Sequence, residues 1–255
     1  AQAGCSIFME KPVSHNLDGI ERLQAALESG GGRLLVGYQF RYHPTLQQAA
    51  EVLHSGQIGR LLSLRAHWGE YLPGWHPWED YRQSYAARAD LGGGVVRTLC
   101  HPLDYVRWLA GDFSALSAAT APLPELALTV DAVADILVRF RSGASGSIHL
   151  DYIQRPAEHQ FTAIGTQGSL RWNNADGELL VWHGDEPQPQ QFLPPQGFER
   201  NQLFLAQMRH YIAVTRGEES PCCTLEDGKQ ALSAALAALE SGQGLGLQRI
   251  ELPAA

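Results

Sequence analysis

Lys11 is the first candidate site residue, because it follows a predicted buried strand. Lys11 follows the apolar run Ser6-Ile7-Phe8-Met9, which predicts a short strand, and the strand leads into Glu10-Lys11-Pro12. Ligands of open parallel sheets bind at the carboxyl ends of strands. An ammonium there can orient a substrate hydroxyl or move its proton, while Pro12 fixes the turn, with a cis bond as one option. The alternative is an ordinary solvated lysine.

A histidine provides the second candidate group. The spacing predicts a helix over residues 95–110, with one face formed by Arg97, His101, Asp104 and Trp108. Arg97 and Asp104 on this face are candidate substrate-binding side chains. Pro102 disfavours helical geometry at His101, so we expect a kink there. An imidazole at a kink suits proton transfer near neutral pH, and the alternative is a structural histidine paired with Asp104. The preceding Gly92-Gly93-Gly94 would cradle an anion or merely let backbones approach.

A third candidate is the loop over residues 68–82, which is rich in aromatic and polar side chains. Its candidate ligand-binding side chains are Trp68, Tyr71, Trp78, Tyr81 and Arg82. Such a mixture suits a binding surface, and it equally suits a well-packed loop.

The elements that must position these groups begin with a βαβ unit. After the first strand, Leu17, Ile20, Leu23 and Leu27 follow helical spacing, three glycines end that helix, and residues 34–37 form a second strand. This pattern predicts two parallel strands with a right-handed crossover. Two strands do not make a doubly wound sheet, so we expect the unit to be the remnant of a larger one.

The rest of the chain predicts a different architecture. Period-two alternation over residues 132–140 and 147–152 predicts an antiparallel hairpin, which strands at 161–164, 169–172 and 179–182 extend. Phe204, Met208 and Tyr211 mark one closing helix, and Thr224 with Asp227 forms a capping box for another. The predicted fold is α/β plus α+β: a partial Rossmann-type remnant over residues 1–42, then an open, mostly antiparallel sheet domain with flanking helices over 43–255.

Charge and hydropathy exclude several function classes. The chain has 255 residues and a formal charge of −8, which argues against a nucleic-acid partner. No stretch approaches the roughly 20 apolar residues of a membrane span, and the first residues lack the pattern of a signal peptide. We therefore expect a cytoplasmic protein with no membrane partner.

Cysteine and histidine spacing gives little support to a metal or disulfide framework. Cys5, Cys100, Cys222 and Cys223 form no C-x-x-C pair, which favours reduced structural thiols. The ten histidines include no H-E-x-x-H run. A metal-dependent hydrolase built on His67, His76 and His101 remains an alternative; otherwise we expect no metal site.

Four segments together resemble one family. The runs over residues 8–16, 36–44, 92–104 and 225–228, with Glu10-Lys11-Pro12 followed by the glycine-rich His-x-x-Asp helix, resemble the Gfo/Idh/MocA oxidoreductases. The resemblance implies a Rossmann domain that binds NAD or NADP, and a sheet domain that carries a sugar or polyol site and forms a homo-oligomer. It makes Lys11 and His101 catalytic, with Glu10, Lys11 and Pro12 beside the cofactor.

The chain departs from the family pattern in two ways. Many members carry an aspartate four residues before the histidine, where this chain has Arg97. That cation would suit an acidic substrate, and the loop over residues 68–82 most resembles members associated with nonulosonate sugars. No G-x-G-x-x-G run occurs, and the strand and helix that would hold the cofactor pyrophosphate are absent from the sequence.

Two functional hypotheses follow. The first is an NAD(P)-dependent oxidoreductase acting on a sugar, sugar acid or nucleotide sugar, present as a chain without most of its cofactor domain. We then expect little activity from these residues alone. The second is a non-catalytic sugar-binding or oligomerisation module from the same family, which the missing glycine loop favours.

Overall fold

A computed structural model describes residues 1–184 and 186–244 of the chain. In chain order its strands and helices are β1 (Ile7–Met9), α1 (Ile20–Gly30), β2 (Leu34–Val36), α2 (Pro44–His54), β3 (Leu61–Gly69), α3 (Val95–Thr98), α4 (His101–Ala110), β4 (Phe113–Ala121), β5 (Val133–Phe140), β6 (Ser145–Asp151), β7 (Glu158–Gly165), β8 (Gly168–Asn173), β9 (Leu179–His183), β10 (Gln190–Phe192), α5 (Asn201–Arg216) and α6 (Leu225–Gly244). None of the helices in this described part combines the length and apolarity needed to cross a bilayer.

The N-terminal βαβ unit is confirmed. β1 pairs in parallel with β2, from Ile7 opposite Leu34 to Met9 opposite Val36, and α1 forms the crossover. The helix ends where Gly31 adopts a φ of 70° and donates its N–H to the carbonyl of Leu27. Glycine adopts this left-handed conformation at little cost, which explains why the glycine run stops the helix.

An eight-stranded mixed sheet forms the second layer, in the order β10-β9-β8-β7-β3-β6-β5-β4. Its described neighbours pair antiparallel except β3 and β6, which run parallel. The predicted hairpin is β5 and β6, and β7, β8 and β9 extend the sheet as expected. Two strands are absent from the prediction. β4 alternates small residues with little hydrophobic contrast, and β10 lies in the Pro/Gln-rich segment that reads as a surface loop.

The two faces of this sheet differ in their surroundings. One face presents buried apolar side chains such as Ala66, Leu150 and Trp172, and α2, α4 and α6 contact the sheet. The opposite face carries Arg65, His67 and Leu137, of which Leu137 is 63% exposed. The buried face is therefore the one that supports the candidate site.

The helix predicted over residues 95–110 is interrupted. α3 ends at Thr98, Leu99 adopts a φ of −93° and a ψ of 37°, and α4 begins at His101 with Pro102 in its first turn. Proline is tolerated in a first turn because its missing N–H has no intrahelical partner there. The predicted kink is thus a break, and the expectation that Arg97 and Asp104 share one helical face is wrong.

Two of the three glycines before α3, Gly93 and Gly94, allow close packing. A Cβ on Gly93 would lie 2.3 Å from the carbonyl oxygen of Tyr85, and one on Gly94 would lie 2.0 Å from Oδ1 of Asp131. The backbone N–H of Val96 donates to Oδ2 of Asp131, at 2.9 Å. The carboxylate of Asp131 thus occupies the position of the anion that the glycines would otherwise cradle.

Gly94→Ala should therefore destabilise the fold. Gly94 has a φ of 109° and a ψ of 150°, a conformation essentially restricted to glycine, and the new methyl group would clash with Asp131. We expect the free energy of unfolding to fall by at least about 1–3 kcal/mol. Urea denaturation measures this change, with Gly143→Ala as a control because its Cβ would meet nothing within 4 Å. Equal losses in the two variants would contradict the packing role of Gly94.

The closing helices connect the two sheets. The capping box of α6 is confirmed, since the N–H of Thr224 donates to Asp227 at 2.8 Å and the N–H of Asp227 donates to Thr224 at 3.1 Å. On α5, Tyr211 packs edge-on against Phe8 of β1, with ring centroids 5.6 Å apart. The boundary at residues 42 and 43 stays a prediction, and residues 245–255 of the predicted second domain lie outside the described range.

Two of the residues that mark α5 in the sequence are not among its buried side chains. Phe204 and Met208 are 42% and 43% exposed, whereas Leu203, Gln207 and Val214 are the buried side chains. The helix carries apolar residues on both sides, so its sequence did not determine which side faces the protein.

Candidate active site

A cleft of about 420 Å³ opens at the carboxyl end of β1. Four predicted site residues line it: Glu10, Lys11, Trp68 and His101. They come from three distant parts of the chain, namely the turn after β1, the end of β3 and the start of α4. The fold therefore brings the predicted lysine and histidine into one cleft.

Lys11 is held against the break between α3 and α4. Its Nζ donates to the carbonyl oxygen of Thr98, at 2.9 Å, and this carbonyl belongs to the last residue of α3. Carbonyls at a helix end lack intrahelical partners, so the ammonium satisfies one of them. The Lys11–Pro12 peptide bond is cis, the option named for it, and Pro12 itself does not line the cleft. Lys11 is thus part-buried and hydrogen-bonded rather than fully solvated.

His101 is fixed by aromatic neighbours. Its ring lies edge-on to Phe40 and Tyr38, with centroids 5.1 and 5.5 Å away, and is tilted toward Trp68 at 5.5 Å. Burial lowers the pKa of His101 well below its usual range, and the charge of Lys11 lowers it further. The imidazole is therefore neutral at pH 7 and able to accept a proton.

A buried ion pair anchors the helix that carries His101. The Asp104 carboxylate accepts hydrogen bonds from Nε and Nη2 of Arg41, at 2.9 and 2.6 Å. Both side chains are at least 95% buried. Arg41 also donates to the carbonyl of Cys222, at 2.5 Å, and lies 3.4 Å from Asp227. The predictions that Asp104 contacts substrate or pairs with His101 are corrected, because Arg41 occupies both its oxygens.

Five other predicted substrate residues do not line this cleft. Arg97 lies beside Gly93, Tyr71 packs under the guanidinium of Arg155, Trp78 is 76% exposed, Tyr81 donates to the carbonyl of Leu126, and Arg82 pairs with Asp80 at the surface. Tyr81 lines a neighbouring cavity that shares Trp75, His76 and Tyr85 with the cleft. The loop thus contributes to the cleft through different residues from most of those predicted.

Sequence reasoning missed several cleft residues, including Gln39, Glu70, Trp75, His76, Thr98 and Arg200. Arg200 immediately precedes α5 and brings a cation from the C-terminal part of the chain. Glu70 accepts a hydrogen bond from the indole of Trp68, at 2.7 Å. Trp75 and His76 stood in the predicted loop and were available as candidates, but nothing in the local sequence of Arg200 points to this cleft.

The alternative metal centre of His67, His76 and His101 is not assembled among the described residues. His101 and His76 line the cleft, whereas His67 lies on the opposite, open face of the large sheet. Adjacent strand residues point to opposite faces, and Trp68 takes the face toward His101. His67 therefore cannot join them as a ligand.

Buried histidines make the fold sensitive to acid. Burial lowers the pKa of His43 to about 4, against an ordinary value of 6.5. Between these values the unfolded chain binds a proton that the folded chain excludes, so the free energy of unfolding falls as pH falls from 6.5 toward 4. For His43 alone we expect a loss of roughly 2 kcal/mol between pH 7 and pH 5.

Urea denaturation of the chain and of His43→Gln at pH 7 and pH 5 measures this effect. The glutamine variant should show a pH dependence smaller by about the same 2 kcal/mol. His101 and His159, whose pKa values burial also lowers, retain their share in both proteins. An unchanged pH dependence in the variant would contradict a neutral buried His43.

Comparisons with known proteins agree with this fold. The model of the GFO/IDH/MocA C-terminal domain matches residues 46–171. D-apiose dehydrogenase of Paraburkholderia graminis is 28% identical over 91% of this chain and 63% of its own length. Levoglucosan dehydrogenase of Pseudarthrobacter phenanthrenivorans is 26% identical over 68% of this chain and 50% of its own length. The chain thus spans less than two thirds of either relative.

A solved structure extends the likeness to most of the described fold. A levoglucosan dehydrogenase in complex with NADH superposes with a TM-score of 0.84 at 22% identity, covering 94% of this chain and 72% of that chain. At this identity the likeness concerns the fold. The domain match and the curated relatives show that the chain is similar to members of the Gfo/Idh/MocA family.

Proposed function

We propose that the protein is an NAD(P)-dependent oxidoreductase acting on a hydroxyl or carbonyl of a sugar, sugar acid or nucleotide sugar. The observation that carries the proposal is the meeting of Lys11 and His101 in one cleft at the carboxyl end of a parallel strand. The relatives named as sugar dehydrogenases support the same activity.

The chain's own residues would handle the proton of the reaction. The Lys11 ammonium, oriented by the carbonyl of Thr98, would bind the substrate oxygen. The neutral imidazole of His101 would accept the hydroxyl proton during oxidation and return it during reduction. Phe40, Tyr38 and Trp68 hold the ring in place, which keeps the proton acceptor at a fixed position.

The nicotinamide, when bound, supplies the hydride acceptor, and the described residues fit only that end of the cofactor. Glu10 and Lys11 lie at the carboxyl end of β1, where ligands of parallel sheets bind. The two-stranded β1–β2 sheet and the sequence hold no glycine-rich strand-to-helix turn for a pyrophosphate. We infer that this part of the site requires residues beyond these 255, and the choice between NAD and NADP depends on them.

The cleft walls support a polyhydroxylated substrate. Trp68 and Trp75 offer aromatic surface, and Gln39, Glu70 and Arg200 offer hydrogen-bonding groups. Arg200, in place of the predicted Arg97, would offer a cation to an acidic sugar such as a nonulosonate. Because Glu10 and Glu70 line the same cleft, charge alone does not restrict the substrate to acids.

A fluorescence titration with NADH and NADPH tests the proposal. We compare the chain with a fusion in which a family-type Rossmann half precedes Ala1. Binding in the fusion, and weak or no binding in the chain, is the expected result. Binding in neither, with sugar still bound, would favour the second candidate function, a non-catalytic sugar-binding module.

Two further predictions of the sequence accompany the proposal. The open face of the large sheet, with Leu137 and Ile164 exposed by 63% and 42%, would form the contact in a homo-oligomer. The protein would act in the cytoplasm. Sedimentation velocity tests the first prediction, and a Leu137→Lys variant should shift the chain toward monomer.

A further inference from the structure

Three ionisable side chains converge on the open face of the large sheet, away from the cleft. His67 of β3 lies beside His149 of β6 in the parallel register of these strands, and Asp151 follows two residues later. The imidazole rings stack with centroids 4.8 Å apart and an angle of 22° between their planes. One ligand atom from each residue lies within 4.8 Å of the others.

The carboxylate of Asp151 has one oxygen directed at both imidazoles. Its Oδ2 lies 3.2 Å from Nε2 of His149 and 4.0 Å from Nε2 of His67. Its Oδ1 accepts the backbone N–H groups of Ile153 and Gln154, at 2.7 and 2.6 Å. The backbone thus fixes the carboxylate, whose side chain is 3% exposed, and leaves Oδ2 for the histidines.

His67 carries the observation that points to a ligand. Its Nε2 is buried and has no hydrogen-bond partner among the described residues, although Asp151 lies nearby. Leaving a buried polar atom unpaired costs about 1–3 kcal/mol, so such atoms call for an explanation.

Asp135 contacts the second ring nitrogen of His149. Its Oδ1 lies 2.7 Å from Nδ1 of His149, on the adjacent strand β5. Histidine ligands of metals almost always donate their second ring N–H to a carboxylate, carbonyl or water, which directs the other nitrogen at the ion. With Nδ1 engaged by Asp135, Nε2 of His149 becomes the ligand atom.

We propose that Nε2 of His67, Nε2 of His149 and Oδ2 of Asp151 bind one divalent transition cation of the zinc type. Zinc bonds of about 2.0–2.2 Å in a tetrahedron separate ligand atoms by about 3.4 Å, so modest side-chain movement closes the site. The two imidazoles are 28% and 31% exposed in the single chain, which leaves a fourth position for water. The ion would join β3 to β6.

Isothermal titration of the untagged chain with Zn²⁺ tests the site. Exposed Cys5 and Cys222 could bind zinc by themselves, so every protein carries Cys5→Ser and Cys222→Ser. Because this face is also the proposed oligomer contact, the titrations are run on the Leu137→Lys background. The titrations are run at pH 8 to limit competition from protons. We expect one ion per chain.

His67→Gln and His149→Gln should each weaken binding by more than about 100-fold, since outer-shell changes alone cost about 10–100-fold. Asp135→Asn should fall within that smaller range, and His183→Gln, on β9 of the same sheet, should leave binding unchanged. Asp151→Asn could disturb the turn that it caps, whereas the two histidine variants leave the turn intact. Absence of stoichiometric binding, or binding that survives both histidine variants, would overturn the proposal.

Discussion

Replacing His101 with glutamine is expected to lower kcat by about 10²–10⁴-fold in the form of the protein that turns over a sugar with NAD(P). The imidazole is the proposed proton acceptor of the cleft, and glutamine cannot accept the hydroxyl proton. Because the carboxamide can still bind a substrate hydroxyl, KM should change much less than kcat. Steady-state kinetics with the sugar as the varied substrate measure both constants.

The matched control is His76→Gln, a histidine that lines the same cleft but comes from the loop after β3. We expect this variant to retain kcat within about tenfold, which is below the range for loss of a general base. Lys11→Ala should lower kcat and raise KM together, since the ammonium would both bind and polarise the substrate oxygen. Equal kcat losses for His76 and His101 would contradict the proton-transfer role of His101.

Replacing Asp104 with alanine is expected to lower the free energy of unfolding by roughly 3–5 kcal/mol. The variant leaves the Arg41 guanidinium buried without its bidentate partner. Because Asp227 lies 3.4 Å from Arg41 and retains part of the interaction, we expect the lower end of that range. Urea denaturation followed by tryptophan fluorescence gives the change.

The double variant Arg41→Met with Asp104→Leu distinguishes the buried charge from simple packing. Replacing a whole buried ion pair with apolar residues is often neutral or stabilising. The double variant should therefore unfold at a higher urea concentration than Asp104→Ala alone. If both proteins lost the same stability, the uncompensated charge of Arg41 would not be the cause.

The sequence predicted the elements whose patterns are local. Period-two alternation located β5 to β9, glycine spacing ended α1, and Thr224 with Asp227 marked the start of α6. Lys11 and His101 were identified because a strand end and a proline each constrain the backbone at short range. These are signals that a single segment carries without its neighbours.

The missed features depend on contacts between distant segments. Asp104 was assigned to the substrate because nothing near it reveals Arg41, which is 63 residues away. Arg200 entered the cleft from the C-terminal part of the chain, and His67 met His149 only through the pairing of β3 with β6. Helical spacing also failed at Leu99, where the break turned Arg97 away from the predicted face.

The most direct test of the central claim follows a labelled hydride. A sugar deuterated at the carbon to be oxidised is incubated with oxidised cofactor and the fusion that carries a Rossmann half, and mass spectrometry detects deuterium in the nicotinamide. Deuterium in the reduced nicotinamide, lost in Lys11→Ala and His101→Gln, is the predicted result. Sugar binding across a panel of aldoses, anhydrosugars and inositols, with no deuterium transferred from any of them, would contradict the assignment as an oxidoreductase.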